Sequence, residues 1–243
     1  MKKSFFLTSL VMLFSFSVAA YAIPAGKSSA SKDGGSIAGK VTFAGPAPAP
    51  KKIEITKDVK ICGKVAHFNE DLLVSKDKGL ANVVVSLSEV EGGKSLDSWG
   101  TKFSLDQNGC QFVPHVILVP VGVKLKIKNS DGILHNIHTF SEENKPINKA
   151  QPRFLKVLSL SFDEPEIVRV ACDVHNWMKS YIAVVDHPYY AVTDENGKFE
   201  LTEVPDGTYT IEYWHESLGA KNGKVMVQGG AAVEVNFEFK KAK

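Results

Sequence analysis

This sequence lacks a long apolar run beyond its start, an excess of one charge and a long helical pattern, and each shortage excludes something. After the apolar run Phe5 to Val18, no later stretch is apolar enough to cross a membrane. Charge of one sign is also missing. The 29 basic and 27 acidic residues nearly cancel, and without Lys2 and Lys3 they balance at 27 each. A nucleic-acid partner is therefore not expected, because that binding relies on clustered positive charge. Sustained 3.6-residue periodicity is absent, with Pro152 to Leu160 as the one stretch suited to a short helix. Cysteine is scarce. There are three, Cys62, Cys110 and Cys172, and no Cys-x2-Cys-His run for covalent haem attachment.

The N-terminus reads as an export signal over residues 1–22. Lys2 and Lys3 precede the apolar run, and Ala20-Tyr21-Ala22 supplies a small-x-small cleavage site. Cleavage would leave 221 residues, with no membrane anchor, in an oxidising compartment, taken here as the periplasm. There cysteines pair or bind metal. Cys172 is taken as a ligand, so Cys62 is expected to pair with Cys110.

Residues 23–36 are small, polar and glycine-rich, a flexible lead-in. Beyond them the signal is period two. Apolar and charged residues alternate strictly over 123–128, and similar alternation recurs over 209–213 and 233–239. Asp131-Gly132, Asn196-Gly197 and Asp206-Gly207 provide turns. The fold class expected is all-β, built from sandwiches.

One constellation carries chemistry. Val168, Val170 and Cys172 share a strand face, so the thiol extends an inward apolar row. His175 and Met178 follow at steps of three. Thiolate, imidazole and thioether from one short loop suit copper, and a second imidazole would complete a His2Cys set with a weak axial Met. His135 is the candidate, just beyond the Asp131-Gly132 turn. Zinc fits less well, since Met is not among its usual ligands. His115 and His138 are candidates for a second site or an outer shell, with an ordinary hydrogen-bonded or exposed imidazole the favoured reading of each. His67, His187 and His215 receive no role.

The run from Phe112-Val113-Pro114 through Lys128-Asn129 to His135-Asn136, then Cys172-x2-His175-x2-Met178, resembles the cupredoxins, with a ligand loop similar to that of amicyanin. The resemblance implies a Greek-key β-sandwich over 99–187 holding one type 1 copper through His135, Cys172, His175 and Met178. It also implies that Asn136 ties the two ligand loops together. A single-electron carrier follows, not an enzyme, with a cytochrome or a dehydrogenase as redox partner. His175 and Trp177 are then expected towards the surface. A non-redox copper delivery protein, a copper enzyme with a second site and a metal-free binding module are the other readings.

The stretch 193–211, with Ile37-Ala38-Gly39-Lys40-Val41 and Ala81 to Leu87, resembles the carboxypeptidase regulatory-like domain, a small transthyretin-like sandwich. That implies a discontinuous domain over 37–98 and 188–240 hosting the copper unit, with the disulfide joining the two.

Overall fold

The computed structural model describes residues 34–240. The proposed leader and nearly all of the lead-in lie outside them. Among the described residues no helix is long and apolar enough to cross a membrane.

The chain opens with β1 (Gly35–Ala44). A two-residue pair, β2 (Lys52–Ile53) and β3 (His67–Phe68), then encloses the short helix α1 (Val59–Cys62) and is followed by β4 (Val84–Ser88). Next come β5 (Phe103–Gln107), β6 (Phe112–Val113), β7 (Val116–Pro120), β8 (Leu125–Asn129) and β9 (His135–Phe140). After these run β10 (Asn148–Gln151), β11 (Val157–Leu160), β12 (Glu166–Ala171) and β13 (Lys179–Val185). The chain ends with β14 (Tyr190–Val192), β15 (Lys198–Val204), β16 (Gly207–His215), β17 (Gly219–Val227), β18 (Ala232–Glu234) and β19 (Phe237–Lys240).

Two cores organise these strands. In the first, the sheet β15-β1-β18, with β19 also on β1, faces the sheet β14-β4-β16-β17. Strand β1 pairs antiparallel with β15 and parallel with β18 and β19, so distant parts of the chain meet in one sheet. Ile37, Val41, Leu80, Val85, Leu87, Ile211 and Tyr213 fill the space between the sheets. In the second, the sheet β10-β9-β12-β13-β7 faces β11-β8-β5-β6. Leu105, Leu125, Ile127, Ile137, Val168, Val170 and Ile182 meet there. The alternation read at 123–128 appears as buried Leu125 and Ile127 against outward Lys124 and Lys126, the pleat putting successive side chains on opposite faces.

A smaller apolar cluster joins the outer faces of the two sandwiches, with Val84 from one and Val116, Ala183 and Val185 from the other. Tyr181 meets Trp214 edge to face there, ring centroids 5.0 Å apart. Beside it lies a charged knot. His115 is hydrogen-bonded to Glu216, and Lys179 donates to Glu216 at 2.6 Å and pairs with Asp71.

Three expectations are corrected. Residues 152–160 hold no helix. Leu155 N–H closes a turn on Pro152, and β11 then pairs antiparallel with β8, whose unsatisfied edge outweighs the local helical spacing. The strand expected at 233–239 is broken at Val235-Asn236. There the Asn236 side chain accepts from the Lys40 N–H and so replaces a ladder bond. Gly35 and Ser36, assigned to the lead-in, already belong to β1.

The disulfide forms between Cys62 and Cys110. Both sulfur residues, with Ile55 and Ile61, pack into the second core. The segment around Ile55 to Cys62 thus lies on the sandwich that carries the His135 and Cys172 loops.

Candidate metal centre

Strand β12 delivers Cys172. Val168 and Val170 are fully buried and Cys172 continues their row, also buried. The chain then folds back: Met178 N–H donates to the His175 carbonyl at 2.9 Å, and Cys172 N–H to the Met178 carbonyl at 3.2 Å. These bonds make residues 172–178 a closed loop leading into β13. His135 begins β9, reached through a tight turn at Asn129 to Gly132. Asn129 supports that turn by donating to the Ile133 carbonyl and accepting from Gly132 N–H, and Gly132 has the positive φ the turn needs.

Three donor atoms converge. Cys172 Sγ lies 3.8 Å from His135 Nδ1 and 3.8 Å from His175 Nδ1, and the two Nδ1 atoms are 3.0 Å apart. All three residues are buried and can hold a metal ion. The far side of each ring explains why the Nδ1 atoms face one another. His135 Nε2 contacts Asp131 Oδ2 at 2.9 Å, and His175 Nε2 contacts Asp58 Oδ2 at 2.9 Å. A carboxylate accepts, so each Nε2 carries the proton and each Nδ1 presents a lone pair. Two lone pairs and a sulfur pressed together away from water need a cation or a shared proton among them. Metal–N and metal–S bonds of about 2.0 and 2.3 Å would set trigonal donors roughly 3.5–3.7 Å apart, close to the spacing of the sulfur to each ring and about half an ångström wider than that of the two Nδ1 atoms. The donor set therefore fits a metal. Met178 is buried in the same cluster as Cys172.

The electrostatics agree. Burial works against charge at Cys172, yet a proton held at Nδ1 of His135 or His175 in the place of a cation outweighs it and brings the thiol down to about 6. Burial also opposes the His135 imidazolium, but Asp131 and the cysteine sulfur reverse that and raise it to about 9. Asp131 is itself desolvated, and His135 with the N–H groups of Cys110 and Gly109 holds it below the usual carboxylate range. Those N–H groups come from consecutive residues at positive φ, Gly109 and Cys110, and lie 2.6 and 2.8 Å from the carboxylate. The result is a small anion cradle.

Asn136 joins the segments that carry His135 and Cys172. Its Oδ1 accepts from Asp173 N–H at 2.6 Å, and its Nδ2 donates to Asn148 and Asp173.

The expected exposure of His175 is a correction. The ring is fully buried, edge-on to Trp177 at 5.1 Å and covered by Asp58, and Trp177 itself is half-buried with its Nε1 donating to the Cys110 carbonyl. The helix α1 segment, from more than a hundred residues earlier, covers this end. His115 and His138 are elsewhere. His115 is held by Glu216 and Glu70, while His138 stacks on Phe140 and contacts Asp173. Among the described residues, neither belongs to a group of converging metal donors. Neither carboxylate stands out in the sequence. Asp131 has a faint signal, four residues before His135 at a turn, and Asp58 has none.

No family model matches the chain, and no curated protein matches it. Solved structures give partial likenesses. A copper-containing nitrite reductase (NirK) from Thermus scotoductus SA-01 is 20% identical over 35% of this chain and 22% of its own, with a TM-score of 0.32. A purple cupredoxin from Nitrosopumilus maritimus is 19% identical over 35% of this chain and 100% of its own, at 0.29. A mutant of amicyanin in its Cu(I) form is 15% identical over 42% of this chain and 98% of its own, at 0.32. The match thus takes in about a fifth of the nitrite reductase and nearly all of the other two. The case for the centre stands on its donor atoms.

Proposed function

We propose that His135, Cys172, His175 and Met178 hold one type 1 copper ion and that the protein is an exported, periplasmic carrier of single electrons. The observation that carries this reading is the buried convergence of two imidazole lone pairs on one thiol, each ring oriented from behind by a carboxylate. One thiolate and two imidazoles suit copper, and copper supplies a one-electron couple.

The rest is done by the chain. Asp131 and Asp58 fix both rings, and Asn136 locks the two loops at one separation. The second core keeps water from the sulfur. Donors held this rigidly have little room to rearrange when charge changes, the property an electron carrier needs. No catalytic residue is assigned. The partner is proposed to be another redox protein, a cytochrome or a dehydrogenase, met through a small transient interface.

The discontinuous arrangement is part of the proposal. Residues 37–98 and 188–240 would form a regulatory-like sandwich hosting the copper unit of 99–187, with 52–68 folded over that unit as a flap. The pairing of β1 with β15, β18 and β19 supports it.

The test is the visible spectrum of copper-loaded protein. An intense thiolate-to-copper band is expected, with one copper per chain, and Cys172→Ser should abolish it. A wild type that binds copper and stays colourless when oxidised would refute type 1 copper.

A further inference from the structure

Asp58 lies 117 positions from His175 and in no recognisable motif, yet its carboxylate meets the His175 ring at 2.9 Å. The imidazole is fully buried while the Asp58 side chain is 39% exposed, so the carboxylate stands between the ring edge and water. What holds Asp58 there is specific. It caps α1 in the left-handed region (φ 48°), and its carbonyl accepts from Ile61 and Cys62 N–H at 2.8 and 2.9 Å. Cys62 is disulfide-bonded to Cys110. Cys110 N–H in turn holds Asp131, the carboxylate behind the other ring. The Cys62 carbonyl is also bound by His67 Nε2 at 2.7 Å, and the Cys110 carbonyl by Trp177 Nε1 at 3.1 Å. One covalent staple thus links the two arms that orient the two imidazoles.

We propose that Asp58 is a positioning residue for the metal centre, delivered by the disulfide-stapled turn at 58–62 to aim His175 Nδ1 at Cys172 and to close the ring edge to solvent. This rests on the copper reading above. A carboxylate behind a ligand imidazole makes the ring a stronger donor, and loss of such a partner typically lowers metal affinity about 10–100-fold. The negative charge favours the more highly charged metal state, so Asp58 lowers the reduction potential and slows metal loss.

Two variants suit the left-handed backbone. Asp58→Asn keeps an acceptor oxygen and removes the charge, and Asp58→Gly removes both. In copper-loaded protein, Asp58→Gly should bind copper(II) about tenfold more weakly or worse. It should also lose copper to a chelator faster and show a higher potential. A tenfold loss confined to the oxidised state corresponds to about 59 mV for a one-electron couple. Asp58→Asn should lie between it and wild type, and it carries the test if the glycine variant fails to fold. In metal-free protein, diethyl pyrocarbonate labelling mapped by peptide mass should find His175 protected in wild type and labelled in Asp58→Gly. The partly exposed His138 should label equally in both. Equal labelling of His175, or unchanged potential and affinity, would overturn the proposal. A wild type that takes up no copper would sink the copper reading alone, and the labelling would still decide the role of Asp58.

Discussion

The two sandwiches are made of similar alternating strands and differ in what they bury. The first core is aliphatic and aromatic, with Phe237 stacked on Tyr213 at 4.3 Å and Phe239 edge-on to Phe237. The second core carries Gln107, Asn129, Gln151, Asn136, Thr139, His135 and His175 in its buried set. Buried polar groups are costly unless paired, and here all but one, Gln107 Oε1, are paired with one another or with backbone. Gln107 donates to Gln151 at 2.6 Å, and Gln151 to the Ile127 carbonyl at 3.0 Å. Histidines make the same point. His215 is buried, its Nδ1 accepts from Ser217 N–H, and burial pulls the imidazole down to about 4. His135 is equally buried, but Asp131 and Cys172 carry it the other way. A buried ring flanked by a carboxylate and a sulfur is built for a positive charge, whereas one flanked by an amide is simply packed.

Substitutions can separate the two cores, from the largest expected effect to the smallest. Ile211→Ala, at the centre of the first core, should cost about 2–5 kcal/mol in chemical denaturation. The optical band of the copper-loaded protein should not change; if it weakened, the two cores would not be independent. Replacing Cys62 and Cys110 together by Ala opens a loop of 48 residues. Chain entropy puts that cost at about 4 kcal/mol, with measured losses typically about 2–4. Here, unlike Ile211→Ala, metal loss to a chelator should also quicken, because Asp58 loses its staple.

The junction between the sandwiches should respond to pH. His115 is buried, which opposes its charge, but Glu216 and Glu70 raise it from 6.5 to about 9. Lys179, Tyr181 and His215 also face this knot. A raised histidine gives stability that is complete below the unfolded value and lost as pH climbs through the folded one. Up to about 3 kcal/mol should therefore fade between roughly pH 6.5 and 9. Glu216→Gln should flatten that slope in denaturation curves, and an unchanged slope would remove His115 from the account. The smallest effect belongs to His138→Ala. It removes a stack on Phe140 and a bond to Asp173, and should cost less than about 1 kcal/mol. Copper stoichiometry should stay at one, and a drop would place His138 in the copper site itself.

Much of this was legible locally. Period two marked β8, β12 and β16 because each buries one face. Cys172, His175 and Met178 stand out because three metal donors fall within seven residues. The failures share a cause, which is tertiary pairing. The helix expected at 152–160 became a strand because β8 offered an edge. Asp58 was unreadable because its partner lies 117 residues away, and the disulfide together with the packing of Ile55 and Ile61 brings them together. His115, just before β7, turned to Glu216 across the junction and away from the converging donors.

X-ray absorption at the copper edge of the loaded protein tests the central claim most directly. Two nitrogen scatterers and one short sulfur are expected around a single copper, with the sulfur gone in Cys172→Ser. A shell of nitrogen and oxygen alone in the wild type would contradict it.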